Sequence, residues 1–136
     1  MTAAIYPKYK KALINGSSNV DLSGGNVKMI LVDEGAYTYD VAHDFLDDLA
    51  SGARIAVSGN LTGKTFSDSA DFDFDDPIWS AVTGTTVEAV ALFIDTGVEA
   101  TSRLVAYQNT NLTGAPVTPD GSNIKLVVHA SGFFRL

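Results

Sequence analysis

Four of the five aspartates in the stretch DSADFDFDDPIW, Asp71, Asp73, Asp75 and Asp76, fall within six residues, with Phe72 and Phe74 between them. Carboxylates this close suggest two chemistries, ligation of a hard cation and acid–base hydrolysis. A calcium loop of the EF-hand kind takes oxygen ligands at positions 1, 3 and 5, glycine at 6 and glutamate at 12. Counted from Asp71, position 6 is Asp76, position 7 is Pro77 and position 12 is Val82, so the turn residue and the closing carboxylate are both missing. Hydrolysis by paired carboxylates needs two environments across a cleft, and side chains on one strand face share an environment. Strand alternation accounts for the stretch better. Phe72 and Phe74 point one way, into a core, while Asp71, Asp73 and Asp75 point the other way, into solvent. A charged strand face also discourages edge-to-edge aggregation.

A second stretch, SGNLTGKT at 58–65, ends like a phosphate-binding loop in Gly63, Lys64 and Thr65. Its first glycine position holds Ser58, and Gly59 comes one place late. Such a loop must open a helix whose N-terminus faces the phosphate, yet FSDSAD follows, with Asp68 and Asp71 placed to repel an anion. Hairpin turn chemistry is the simpler reading, and a nucleotide hydrolase built on Lys64 is the weakest of the functions weighed. The two histidines, His43 and His129, are too few for a zinc site, although His43 and Asp47 stand four apart on a predicted helix. There is no cysteine, which removes thiolate chemistry, and no G-x-S-x-G elbow for a serine nucleophile. The residues therefore predict no catalytic, cofactor-binding or metal-binding set, and a chain that is not an enzyme.

What remains is the scaffold. With 136 residues, 46% of them hydrophobic and 18% charged, the chain is apolar enough to fold as one domain over 1–136. The net charge of −7 is unevenly spread: residues 1–20 carry Lys8, Lys10 and Lys11 with no acid, and the rest carries six bases against sixteen acids. That acidic body argues against direct binding of nucleic acid, which needs a basic face. The longest apolar runs, such as AVALFI at 89–94, are too short to cross a bilayer, so no membrane association is expected.

Residues 1–16 read as an N-terminal arm holding a short helix over 5–15. Pro7 suits the first helical position, Ile5, Tyr6, Tyr9 and Leu13 recur at helical spacing, and Asn15-Gly16 supplies the stop. A helix this short must dock on something. A second helix is expected over about 40–50, capped by Asp40, with Val41, Phe45, Leu46 and Leu49 on one face and Asp44, Asp47 and Asp48 on the other. Strand patterns follow at 27–32, 54–57, 61–66, 70–74, 78–82, 86–95, 103–108, 123–129 and 132–136, parted by glycine-rich turns. The fold class predicted is mainly β: an antiparallel, jelly-roll-like sandwich over 26–136, with one or two short helices near the N-terminus. Phe133 and Phe134 face opposite sides of the last strand, so both need cover, either within a buried strand, the commoner case, or for one of them from a partner subunit.

The segments YPKYKKALINGSSNVDLSGGNVKMILVD, AHDFLDDL, LTGKTF, FDFDDPIWSAVTGTTVEAVALFIDTG, TSRLVAYQN and LTGAPVTPDGSNIKLVVHASGFFRL together resemble the small capsid cementing, or decoration, proteins of tailed bacteriophages. The likeness spans nearly the whole chain, as strand and turn patterns rather than a catalytic signature. It implies a jelly-roll sandwich on the outer surface of an icosahedral virion, made in the host cytoplasm. There it would clamp neighbouring major capsid proteins, as a homodimer at two-fold positions. The expected capsid or dimer interface comprises Tyr6, Lys8, Tyr9, Lys10 and Lys11 of the arm, with Phe133 and Phe134; deletion of 1–16 is expected to leave the β-fold intact. The competing expectation is a tail- or fibre-associated protein or a carbohydrate-binding module, with Trp79 beside Asp75 and Asp76 as its one candidate cluster.

Overall fold

The computed structural model describes residues 3–136; the first two residues of the predicted arm lie outside the described residues. The fold is mainly β, with antiparallel sheets and one α-helix. Its centre is a five-stranded sheet built from β1 (Ala4–Ile5), β2 (Val27–Val32), β3 (Arg54–Val57), β7 (Ala89–Ile94) and β8 (Arg103–Gln108), in the order β1-β8-β7-β2-β3. A three-stranded sheet joins β4 (Thr65–Phe66), β5 (Asp71–Asp73) and β10 (Phe134–Arg135), in the order β10-β5-β4, and β6 (Ile78–Trp79) pairs with β9 (Ile124–Lys125).

The strands β2, β7 and β8 form where the sequence runs apolar without alternation. Every residue of β7 and β8 is buried, which requires cover on both faces of the sheet. The β2–β7 register runs unbroken from Val27 opposite Ile94 to Val32 opposite Ala89. Side chains from Ile5 to Phe134 belong to one continuous apolar core shared by all three sheets, an arrangement consistent with a β-sandwich. Lys28 and Asp95 tie the start of β2 to the residue after β7 through an ion pair of 2.7 Å. Arg103 is buried at the start of β8; its guanidinium donates to the Ser18 carbonyl at 3.0 Å and stands 4.9 Å from the Phe45 ring. It thereby fastens two long connections to the central sheet.

The helix α1 (Pro7–Ile14) begins with Pro7 in its first turn, and Gly16, at φ +64°, follows its end at Asn15. It is no free arm. Ile5 pairs with Ala106 in the central sheet, and Tyr6 and Tyr9 are 0% and 2% exposed. That placement argues against the expectation that the β-fold is independent of residues 1–16, because the described residues of this segment supply an edge strand and two core aromatics.

The helix expected over 40–50 does not form. A single 3₁₀ turn occupies Leu46–Asp48, and the residues before it are turn and extended chain. The Asp40 side chain accepts from the Ala42 N–H at 2.8 Å, closing a local turn instead of capping a helix. Asp48, expected on an outer helix face, folds back to accept from the Asp44 N–H at 2.8 Å. Phe45 is extended and bridges to Arg103 of β8. Tertiary pairing and aspartate side chains have taken the backbone groups that a helix would have used.

Candidate functional site

Each carboxylate of the acidic stretch has its own local partner. Asp71 receives Arg135 in a two-pronged contact, Nε at 2.6 Å and Nη2 at 3.1 Å, and the Ser67 hydroxyl at 2.9 Å. The Arg135 guanidinium, helped by that hydroxyl, holds the Asp71 carboxyl below the usual carboxylate value. Asp73 accepts from the Phe74 N–H at 2.9 Å, and Asp76 from the Val128 N–H at 2.8 Å. Asp75 accepts from the Thr62 hydroxyl at 3.0 Å. These carboxylates cap loops and pin the C-terminal strand. Among the described residues no three His, Cys, Asp or Glu side chains converge to hold a metal ion. Phe72 and Phe74 are buried as the alternation predicts.

The GKT stretch is likewise committed. Gly63 sits at φ +63°, and a Cβ there would collide with the Asp75 carboxylate, so this position requires glycine. An anionic side chain thus packs where a phosphate loop would need an anion to bind. Lys64 donates through Nζ to the Gly24 carbonyl, and the chain continues into the strand β4, not into a helix.

A buried tyrosine cluster was not anticipated. Tyr6 and Tyr37 share a hydroxyl–hydroxyl bond of 2.9 Å, and the Tyr37 hydroxyl stands 2.8 Å from His43 Nδ1. With Nδ1 unprotonated, Tyr6 donates to Tyr37 and Tyr37 donates to His43. Tyr107 donates to Glu34 at 2.6 Å, and its ring stacks on Tyr39 with centroids 5.4 Å apart. Burial pushes the Tyr6 and Tyr107 phenols far up; for Tyr107 the Glu34 carboxylate adds to the effect. Burial also pushes Tyr37 up to about 12. Phenols held this strongly protonated act as structural donors and are poor proton acceptors at neutral pH. The signal for this cluster was the five tyrosines themselves, yet 31 residues of chain separate Tyr6 from Tyr37 and no local spacing reveals their meeting.

The expected interface residues separate into two groups. Tyr6, Tyr9, Phe133 and Phe134 are all buried within this one chain. Phe133 packs on Phe74 with centroids 5.5 Å apart and Phe134 on Phe72 at 5.4 Å, so both find cover without a partner subunit. Lys8, Lys10 and Lys11 are exposed, and none forms an ion pair with another described residue. Trp79 is 2% exposed and presents no ring face for a sugar to stack on. His129 is exposed, its Nδ1 accepting from the Ser131 N–H at 3.0 Å. No described helix is long and apolar enough to cross a membrane.

The arrangement presents a lysine-bearing helix locked to an acidic body. Compared with known proteins, the chain matches no family profile, and no curated protein matches it significantly.

Proposed function

We propose that this chain is a structural virion protein of a tailed bacteriophage, a jelly-roll-like sandwich on the outside of an icosahedral head that cements neighbouring major capsid proteins. It is made in the host cytoplasm and joins the particle as a homodimer. The observation that carries the reading is a charge split on a rigid base. Lys8, Lys10 and Lys11 are exposed on α1, α1 is fixed by the buried Tyr6 and Tyr9, and the chain beyond residue 20 holds sixteen acids against six bases. A preorganised basic face meets an acidic protein surface without the cost of ordering a loop. Nucleic acid suits it less, because phosphates would also face the acidic body.

The resemblance of the strand and turn segments to cementing proteins points the same way. A protein that binds assembled subunits and not free ones stabilises the assembly by mass action. Symmetry then repeats a modest contact over many copies. The competing carbohydrate-binding reading is weakened by the burial of Trp79.

Sedimentation of the purified protein with expanded heads, with tails and with host glycans tests the proposal. Binding to heads is expected, and it should fall at least tenfold when Lys8, Lys10 and Lys11 are all replaced by Glu. Binding to tails or glycans, or head binding indifferent to the charge reversal, overturns the reading. Light scattering on the free protein should return twice the chain mass.

A further inference from the structure

The end of α1 carries the chain's one Asn-Gly pair. Of the seven asparagines, Asn15 alone precedes glycine; the other six precede valine, leucine, isoleucine or threonine. The pairing matters because the backbone nitrogen that follows an asparagine can attack its side chain. A branched side chain on the next residue crowds that nitrogen. Gly16 has no side chain, and even a Cβ built there would meet nothing within 4 Å. Both residues are exposed. Asp120-Gly121 is the matching aspartate pair, but a carboxylate resists nucleophiles, and Asp120 is held by the Ser122 N–H at 3.0 Å and the Ser122 hydroxyl at 2.5 Å.

The fold holds this attack in check. At Asn15, ψ is 12°, which turns the Gly16 nitrogen away from the side chain, and the Gly16 N–H donates to the Leu13 carbonyl at 3.3 Å. The hydrogen-bond network assigns the Asn15 amide nitrogen to the helix side, where it donates to the Lys11 carbonyl at 2.6 Å and the Ala12 carbonyl at 3.2 Å. Those carbonyls close the helix, which has no further turn to satisfy them. Helix ends open locally at far lower cost than a whole domain unfolds. We propose that Asn15-Gly16 is a site of spontaneous deamidation, closed while the last turn of α1 is formed and reactive when that turn opens.

The chemistry needs only water. The Gly16 nitrogen gives its proton to solvent and bonds to Asn15 Cγ; the Cγ–Nδ2 bond breaks, and ammonia leaves with a proton taken from solvent. Water then opens the succinimide that results. Breaking the new N–Cγ bond leaves aspartate, and breaking the original peptide C–N bond leaves isoaspartate, with the main chain routed through Cγ. Nothing is oxidised or reduced. Either product replaces an amide donor with a carboxylate beside the Lys11 and Ala12 carbonyls, at the negative end of the helix, where an anion is unfavourable. Isoaspartate also adds a methylene to the main chain ahead of Ser17, whose N–H donates to the Ala12 carbonyl at 2.9 Å. The product thus holds open the turn whose opening formed it. This inference goes beyond the cementing reading and holds whatever partner the lysine face meets.

Two measurements on the full-length protein test it. In the first, the protein is aged at mildly alkaline pH, in buffer and in denaturing urea, and its tryptic peptides are read by mass spectrometry; Asn15 falls in peptide 12–28. Conversion at Asn15 before any other asparagine is expected, as a mixture of aspartate and isoaspartate, at least tenfold faster in urea than in buffer. Faster conversion at another asparagine, no conversion in urea, or equal rates in both solvents overturns the proposal. In the second, Asn15→Asp supplies the product's charge without ageing. Its Gly16 and Ser17 amides should exchange with deuterium at least tenfold faster than in the wild type, while the amides of β7 keep their protection and so report an intact fold. Unchanged exchange at 16 and 17, or an equal loss of protection in β7, sinks the idea that the product opens this turn alone.

Discussion

Tyr37 shows how far a single hydroxyl can hold separate parts of a chain together. With His43 Nδ1 unprotonated, it accepts from Tyr6, in the link between β1 and α1, and donates to His43 in the loop before the 3₁₀ turn. Its removal and the removal of the Tyr6 hydroxyl are not equivalent. Tyr6→Phe deletes a donor and leaves Tyr37 still bonded to His43, a net loss near that of an ordinary hydrogen bond, roughly 0.5–1.5 kcal/mol. Tyr37→Phe leaves the Tyr6 hydroxyl without an acceptor at a site closed to water, which costs roughly 1–3 kcal/mol. Urea denaturation at pH 7 should therefore show the larger loss for Tyr37→Phe. Equal losses would mean that Tyr6 finds another acceptor.

At the scale of elements, α1 and β1 bear on both fold and function. The helix was visible at 3.6-residue spacing and the exposed lysines as a charge run, whereas Tyr6 and Tyr9, expected at an interface, lie in the core. What these elements dock against was not visible, because Ile5 pairs with Ala106 about a hundred residues later. Their burial makes deletion of residues 1–16 a loss of structure. Tyr9→Ala alone should destabilise by about 3–5 kcal/mol, as large-to-small changes of buried aromatics do. That is a large part of the roughly 5–15 kcal/mol a domain has. The truncated chain should lack a cooperative thermal transition; a normal melt would show that the β-sheets stand without the arm.

The strands β2, β3 and β8 could be read to the residue, since each is a β-prone run bounded by turn residues. The helix expected over 40–50 failed for a local reason. A period of 3.6 in apolar residues says nothing of an aspartate side chain that competes for the same N–H groups, as Asp48 does for those of Asp44 and Phe45. The acidic stretch was legible as a strand with Phe72 and Phe74 inside. Its pairing with Arg135, 64 residues away, was not.

For the whole molecule, carboxylates and phenols set opposite limits on the pH range of stability. Asp71 is held below the ordinary 3.8 chiefly by Arg135, and Asp95 chiefly by Lys28. A carboxyl with a depressed value in the fold stabilises it above the unfolded value, and that contribution is lost as pH falls through the folded value. The phenols act the other way. Burial pushes Tyr9 and Tyr37 up from 10.0 to about 12, and Tyr6 and Tyr107 are raised further. Their contribution is complete below the unfolded value and is lost as pH climbs from there through the folded value. Urea midpoints should thus be flat between about pH 5 and 9 and drop at pH 3 and at pH 11. The two limbs rest on separate sets of groups, so they should move independently. Arg135→Gln should lower the plateau and make the acid limb shallower, since Asp71 then titrates nearer its unfolded value, and leave the alkaline limb in place. Tyr37→Phe should lower the plateau and make the alkaline limb shallower, since one buried phenol no longer has to ionise. Tyrosinate absorbance at alkaline pH supplies the direct check: it should rise together with the loss of circular dichroism. Full ionisation near pH 10 with the β-signal intact would show that these phenols are not buried in solution.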